Sequence, residues 1–285
     1  MKIFEQIEPL VNYLSSFTDC NKIGFVPTMG ALHRGHLNLI QQSKQDNQLT
    51  VCSIFINRIQ FNNVQDFIKY PKTVESDINL LSEAGCDCLF MPDQETVFPK
   101  AYVYKIYDLG SLETILEGLH RPGHFQGVCN VVDRLIEIVQ PDKLYLGLKD
   151  LQQCKVIEKM LTLIELNKPV DLVLCETIRN ENGLALSSRN KRLSADGLIK
   201  ALGLIQTLHF AKDQLKKSDT NLDLNILSQT CIEMILQGGF ESVDYFSFLN
   251  QQFEPLESIS KEFEPLYILT AATIEGVRLI DNTIV

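Results

Sequence analysis

Two histidines three residues apart, with a glycine between them, close the decapeptide Pro27-Thr28-Met29-Gly30-Ala31-Leu32-His33-Arg34-Gly35-His36. That spacing puts His33 and His36 on one helical face. A helix N-terminus offers unpaired N–H groups and partial positive charge, which suit an anion. Gly35 lets a phosphate or a flat base approach the backbone closely. A zinc site needs further ligands, and the sequence offers no evident third or fourth. The chemistry is therefore phosphate handling.

Three other polar groups extend it. Asn57 and Gln60 follow the apolar run Ser53-Ile54-Phe55-Ile56. Their carboxamides both donate and accept without charge, which fits a neutral hydroxylated substrate. Gly147-Leu148-Lys149-Asp150 stands where a strand ends and a helix begins. A lysine there meets phosphate as a point charge, and the aspartate can accept from ribose hydroxyls. Leu186-Ser187-Ser188-Arg189 supplies hydroxyls and a guanidinium, suited to a polyphosphate. Neither G-x-G-x-x-G nor the P-loop G-x-x-x-x-G-K occurs, which argues against a dehydrogenase or a P-loop NTPase.

Positioning these groups requires an α/β layer fold. Dense apolar runs predict strands at 22–28, 49–56, 86–91, 143–147 and 169–175; amphipathic stretches predict helices at 3–18, 35–46, 74–84, 127–139 and 150–165. Such alternation implies a Rossmann-like parallel sheet with right-handed crossovers and ligands beyond the carboxyl ends of its strands. Met29, Asn57 and Gly147 all fall there. Gly118 to Gly127 reads as a mobile loop before the apolar helix. After residue 178 the pattern changes to helices near 195–217 and 222–237 and strands at 242–249, 265–272 and 276–281. This divides the chain into a Rossmann-like domain, 1–178, and a smaller α+β C-terminal domain, 179–285, with a hinge and a shared cleft expected.

Bulk properties exclude other classes. The 285 residues are 45% hydrophobic and 22% charged, enough for a substantial core, and the formal net charge is −10. An acidic chain is a poor general nucleic-acid binder. No signal peptide, membrane span or lipidation motif is evident, so a cytoplasmic location is expected. The eight cysteines sit mostly in apolar runs, where a reduced thiol behaves as a small hydrophobe. Cys86 and Cys88 are spaced for one face of a strand rather than for a zinc knuckle.

The chain resembles the pantothenate synthetase family, pantoate–β-alanine ligases of the nucleotidyl-transferase superfamily, nearly end to end. The likeness rests on the decapeptide and on S-I-F-I-N-R-I-Q-F at 53–61, Y-P-K-T at 70–73 and G-H-F-Q-G-V at 123–128. It continues through G-L-K-D-L-Q-Q at 147–153, N-G-L-A-L-S-S-R-N at 182–190 and R-L-I-D-N at 278–282. The resemblance implies that ATP activates pantoate as pantoyl adenylate, which the amine of β-alanine then converts to pantothenate, a coenzyme A precursor.

It further implies that Met29 to His36 bind ATP, with His36 as proton donor and His33 and Lys149 beside it. Gln60 would take pantoate and β-alanine, and Gln153 pantoate. Gly147 to Asp150 would hold ribose and phosphate, Ile178 adenine, and Leu186 to Arg189 the triphosphate as part of a lid. Mg2+ would arrive with ATP, held mainly by phosphate and water, with Asp77 as a candidate metal or water ligand; no protein metal site is assigned. A homodimer is implied. The chain departs from the family at Leu148, usually glutamate, and at Arg58, usually proline. Rival readings are another nucleotidyltransferase of the superfamily and a non-catalytic nucleotide-binding sensor. A fragment of an aminoacyl-tRNA synthetase is disfavoured by the acidic balance.

Overall fold

Val, Ile, Leu, Phe and Cys fill the strand segments of the first half so densely that neither sheet face can be left to water. Helices on both faces satisfy this. A computed structural model describes residues 1–17, 23–217, 222–259 and 266–285, which group into two compact units, Met1–Thr177 and Ile178–Val285.

The first unit runs β1 (Lys2–Phe4), α1 (Ile7–Ser15), β2 (Ile23–Thr28), α2 (Arg34–Asp46), β3 (Leu49–Ile54), α3 (Val64–Ile68) and α4 (Val74–Glu83). It continues with β4 (Cys88–Phe90), α5 (Gln94–Val97), α6 (Leu116–His120), α7 (His124–Val139), β5 (Lys143–Gly147), α8 (Leu151–Leu161) and β6 (Asp171–Cys175). Among the described residues the strands form one parallel sheet in the order β1-β4-β3-β2-β5-β6.

Successive strand residues point to opposite faces, and the two cores follow that alternation. Phe25, Val51 and Leu144 pack with Cys129, Leu135 and Ile136 of α7. Val26, Cys52 and Tyr145 pack with Ile40 of α2 and Leu81 of α4. The chain leaves β2 towards β3 and β4, then returns to lay β5 on β2's other side. In parallel α/β sheets such a reversal is where ligands bind, beyond the carboxyl ends of the flanking strands, here β2 and β5. The decapeptide follows one of these strands and Gly147 to Asp150 the other.

The second unit contains α9 (Ala195–Lys200), α10 (Gly203–Lys217), β7 (Leu222–Asp223), α11 (Leu224–Gln237), β8 (Ser242–Leu249), β9 (Ser258–Ile259), β10 (Tyr267–Ile274) and β11 (Val277–Ile284). An antiparallel sheet, β11-β10-β8, packs against α10 and α11 through Leu208, Ile235, Phe246 and Ile268; β7 and β9 form a separate short pair.

Several expected elements differ. The helix expected from residue 3 begins only at Ile7, because Lys2–Phe4 pairs in parallel with Cys88–Phe90 as an edge strand. Three residues are too few to display an alternation. Gly118 to Gly127 is not one loop: α6 ends at His120, and α7 starts at His124 behind Gly123, whose φ of 77° needs a glycine. The helix over 195–217 breaks between Lys200 and Gly203. Residues 18 and 22 of two expected elements, residue 265 of a third, and Cys20 lie outside the described residues. The other cysteines are reduced and buried, with Cys86 just ahead of the strand that holds Cys88.

One glycine fixes the approach of α2 to the sheet. A Cβ on Gly24 would collide with Ser43 Oγ and with Asn47 Nδ2. Both are polar groups of the α2 end, in a network with Thr50 and Tyr145. Gly24→Ala is expected to lower unfolding stability by about 1–3 kcal/mol, the range for overpacking a filled core. Urea denaturation measures it, and an unchanged midpoint would mean the helix shifts without cost.

Candidate active site

The turn after β2 is built by an internal carboxylate. Gly30 and Ala31 both adopt left-handed backbone, with φ of 78° and 51°. Successive amides in that conformation converge on one point and form an anion-binding concavity. Asp77, buried on α4, fills it: Oδ2 accepts from the Ala31 N–H at 2.9 Å and Oδ1 from the Leu32 N–H at 2.8 Å. Thr73 Oγ1 donates to Oδ1 at 3.1 Å. Asp77 thus holds the turn in shape rather than standing ready as a metal or water ligand. The Ala31 and Leu32 amides are likewise engaged inside the protein.

The histidines cap α2 reciprocally. His33 is the extended residue ahead of the helix, and its Nδ1 accepts from the Gly35 N–H at 3.2 Å. His36 Nδ1 accepts from the His33 N–H at 3.3 Å. The rings lie 4.0 Å apart, centroid to centroid. Because each Nδ1 is an acceptor, each neutral ring carries its proton on Nε2. Burial holds the His36 pKa well below the ordinary histidine value, reinforced by the nearby charges of His33 and Lys149. His36 is therefore a neutral imidazole near pH 7, with Nε2–H as its donor. The Ala31, Leu32, His33 and Gly35 amides are thus engaged within the protein. Arg34 is exposed.

Lys149 comes from the turn Leu148–Asp150 after β5; its side chain is mostly buried and its Nζ lies 3.4 Å from Asp150 Oδ1. A Cβ on Gly147 would meet nothing within 4 Å, so space lies open beside that strand end. Of the two glutamines opening α8, Gln152 turns inward, accepting from Glu117 N–H and donating to the Leu112 and Ile115 carbonyls. Its neighbour Gln153 is half-buried.

Gln60 is held from three sides. Its Nε2 lies 3.3 Å from Met29 Sδ, and its Oε1 accepts from Asn57 Nδ2 at 3.1 Å. Asn57 also donates to the Gly127 carbonyl at 3.0 Å and accepts from the Ile59 N–H. This carboxamide thus bonds to Gln60, to Gly127 and to its own turn. His124 Nδ1 donates to the Gln60 carbonyl at 2.7 Å. Gly127 allows α7 to come this close, since a Cβ there would sit 2.8 Å from the Gln60 backbone nitrogen. The sequence reading missed His124 and Gly127 as supports. Their signal was present: a histidine and a glycine three residues apart in an apolar helix mark one face and a close approach.

A cavity of about 370 Å³ opens beside this turn, beyond the ends of β3 and β4, lined by Met29, Gly30, Phe55, Phe67, Lys72 and Arg58 among others. Arg58, the departure from the family's proline, lies over the Phe67 ring at 5.3 Å. Neither histidine nor Lys149 lines the cavity.

In the second unit, Leu186 N–H donates to the Ile178 carbonyl at 3.0 Å. Ser187 Oγ accepts from the Arg189 N–H at 3.2 Å, starting the turn Ser188–Arg192; Ser188 is buried. Among the described residues no group of three or more His, Cys, Asp or Glu is arranged to hold a metal ion, and no helix is long and apolar enough to cross a membrane.

The parallel sheet, with capped histidines and a lysine at its reversal point, defines a Rossmann-like enzyme that handles phosphates. A family model described as pantoate-beta-alanine ligase matches residues 2–284. The pantothenate synthetase of Cytophaga hutchinsonii is 44% identical over 268 residues, covering 93% of this chain and 92% of that protein. That of Aquifex aeolicus is 37% identical over 282 residues, covering 98% and 97%. The crystal structure of pantothenate synthetase from Thermus thermophilus superposes with a TM-score of 0.87 at 34% identity, covering 99% of each chain. That of the Francisella tularensis ligase, complexed with beta-gamma ATP and beta-alanine, gives 0.81 at 34% identity, covering 99% of this chain and 97% of that one. The chain belongs to the pantoate–β-alanine ligase family.

Two measurements check the supports. Asp77→Ala removes the acceptors of two buried amides and is expected to destabilise by about 1–3 kcal/mol for each orphaned group, with Asp77→Asn losing less. Urea unfolding reads this, and equal stability of all three proteins would contradict it. Burial, aided by the Arg121 guanidinium, pushes His124 down to about 3 against the pull of the Gln60 carbonyl. Between that value and about 6.5 the unfolded histidine binds a proton that the folded one does not, so stability falls as pH falls. The advantage of the native protein over His124→Asn should shrink by about 1.4 kcal/mol per pH unit below pH 6. A gap independent of pH would show that His124 is already charged.

Proposed function

We propose that this ligase joins pantoate to β-alanine in two ATP-driven steps, through pantoyl adenylate. Family membership carries the overall reaction, an amide-bond-forming ligation. A carboxylate is a poor acyl donor, and activation at phosphorus cures this. The pantoate carboxylate oxygen attacks the α-phosphorus, the bond from that phosphorus to the bridging oxygen breaks, and pyrophosphate leaves. The β-alanine amine then attacks the acyl carbon, AMP departs as the leaving group, and the amine nitrogen releases a proton.

The observation that supports residue roles is the reciprocal cap. With Nδ1 engaged, His36 donates a hydrogen bond through Nε2–H to charge developing on the phosphates, with His33 beside it. Lys149 supplies the positive charge, as a point cation close enough to depress His36. Gly147 leaves room for ribose and phosphate, with Leu148 and Asp150 flanking the lysine. Gln60, already oriented by Asn57 and His124, takes the small substrates, and Gln153 takes pantoate. The Ile178 backbone serves adenine, and Leu186, Ser187, Ser188 and Arg189 serve the triphosphate.

Magnesium, in this reading, enters on the triphosphate. Asp77 is committed to the turn amides, and among the described residues no cluster of protein donors is built for a cation. When bound, the ion neutralises phosphate charge. A homodimer and a cytoplasmic location belong to the same proposal, supported by the family resemblance.

The test incubates the protein with ATP, magnesium and pantoate, with and without β-alanine, and identifies the products. Pantothenate and AMP should appear only with β-alanine. A persistent nucleotidyl product would favour another nucleotidyltransferase, and no turnover a nucleotide sensor. His36→Ala should slow adenylation by roughly 10²–10⁴ with an unchanged circular dichroism spectrum. A near-normal rate would remove His36 from the chemistry.

A further inference from the structure

The R-L-I-D-N segment at 278–282 marks the family resemblance but supplies none of the groups assigned above. Its charges are nevertheless fixed with care. Arg278 Nε donates to Asp244 Oδ2 at 2.6 Å, tying β11 to β8 across the sheet. Asp281, buried on the edge strand β11, takes a guanidinium from a distant part of the chain. Arg179 NH1 donates to its Oδ2 and NH2 to its Oδ1, each at 2.7 Å. The two terminal nitrogens also reach the Gly183 carbonyl at 3.1 Å and the Asn282 carbonyl at 3.3 Å.

What Arg179 holds is the loop that delivers the Ser187-Ser188-Arg189 turn. Arg179 and Ala185 form an antiparallel bridge, and the Leu186 N–H donates to the Ile178 carbonyl. Asn180 closes the tip: its Oδ1 accepts from the Asn182 and Leu184 N–H groups, and Gly183 turns with φ of 93°. Asn190 Nδ2 returns to the Ala185 carbonyl at 3.0 Å. Ile178 and Leu186 are therefore bonded into the same loop that leads to the turn. Leu184, buried in the apolar core, sets how deeply the loop sits. An apolar contact is indifferent to rotation, whereas a planar two-bond fork has one orientation.

We propose that the Arg179–Asp281 ion pair is the positioning device for the triphosphate-binding turn, fixing the direction in which Ser187, Ser188 and Arg189 are presented. The proposal rests on the reading that this turn binds ATP. Neither charge touches the nucleotide; both act through the 178–186 loop. Asp281 is then a remote support of the nucleotide site, whereas Arg278 ties strands of the core.

The experiment compares Asp281→Asn, Arg278→Gln, Ser188→Ala and Arg189→Ala as full-length proteins. Binding of the β,γ-methylene analogue of ATP is measured by calorimetry, with KM for pantoate and melting temperature measured alongside. Losing one well-aimed hydrogen bond to a charged group costs about ten- to hundredfold in affinity, so Asp281→Asn should weaken analogue binding by about that factor, with pantoate KM nearly unchanged. Arg278→Gln should lower the melting temperature and leave analogue binding alone. If Asp281→Asn does not fold, Arg179→Lys, which keeps the charge and loses the fork, carries the same expectation. Normal analogue binding by folded Asp281→Asn or Arg179→Lys, with Ser188→Ala and Arg189→Ala impaired, overturns the positioning role and leaves the site reading standing. Normal binding by Ser188→Ala and Arg189→Ala overturns the site reading itself, and the inference falls with it.

Discussion

A carboxylate inside a backbone turn is the constraint on which the first unit's site depends. Asp77 gathers the amides of Ala31 and Leu32 and compels two consecutive left-handed residues, one of them not a glycine. That conformation is costly for alanine, by roughly 1 kcal/mol, and persists because two charge-assisted hydrogen bonds over-determine it. The turn in turn sets where α2 begins, and with it where the two imidazoles lie. An acid on α4, behind the sheet's edge in sequence order, thus decides the geometry of residues more than forty positions earlier.

The same economy governs the electrostatics. A bare helix N-terminus would attract phosphate through its amides, but here imidazole nitrogens and a carboxylate have taken most of them. Beside them stand the Lys149 cation and the Nε2–H bonds of neutral rings. Neutral donors fixed in place cost little reorganisation when charge develops. Burial above all keeps His36 neutral, and the nearby charges of His33 and Lys149 add to it.

Much of this was legible from residues alone. The parallel sheet could be read because β2, β3, β5 and β6 are apolar runs separated by amphipathic helices, and the decapeptide announced itself by its glycines and histidines. What escaped was tertiary. Lys2–Phe4 is a strand only because Cys88–Phe90 lies beside it. Asn57 looks like a ligand group in sequence, and only the position of Gly127 reveals that its carboxamide is used. Asp77 reads as a metal ligand until the amides it faces are known. Likewise, no spacing rule connects Arg179 to Asp281, a hundred residues apart. Roles set by partners distant in the chain cannot be inferred from either partner singly.

The reciprocal histidine cap has a consequence for the start of α2. A ring nitrogen that accepts from an amide cannot take up a proton without turning that amide into an opposed donor, so the first turn of α2 would lose its fastening. Each imidazole is thereby left with one outward nitrogen, Nε2, whose N–H is a neutral donor. Tautomer and helix start are therefore set by the same two hydrogen bonds.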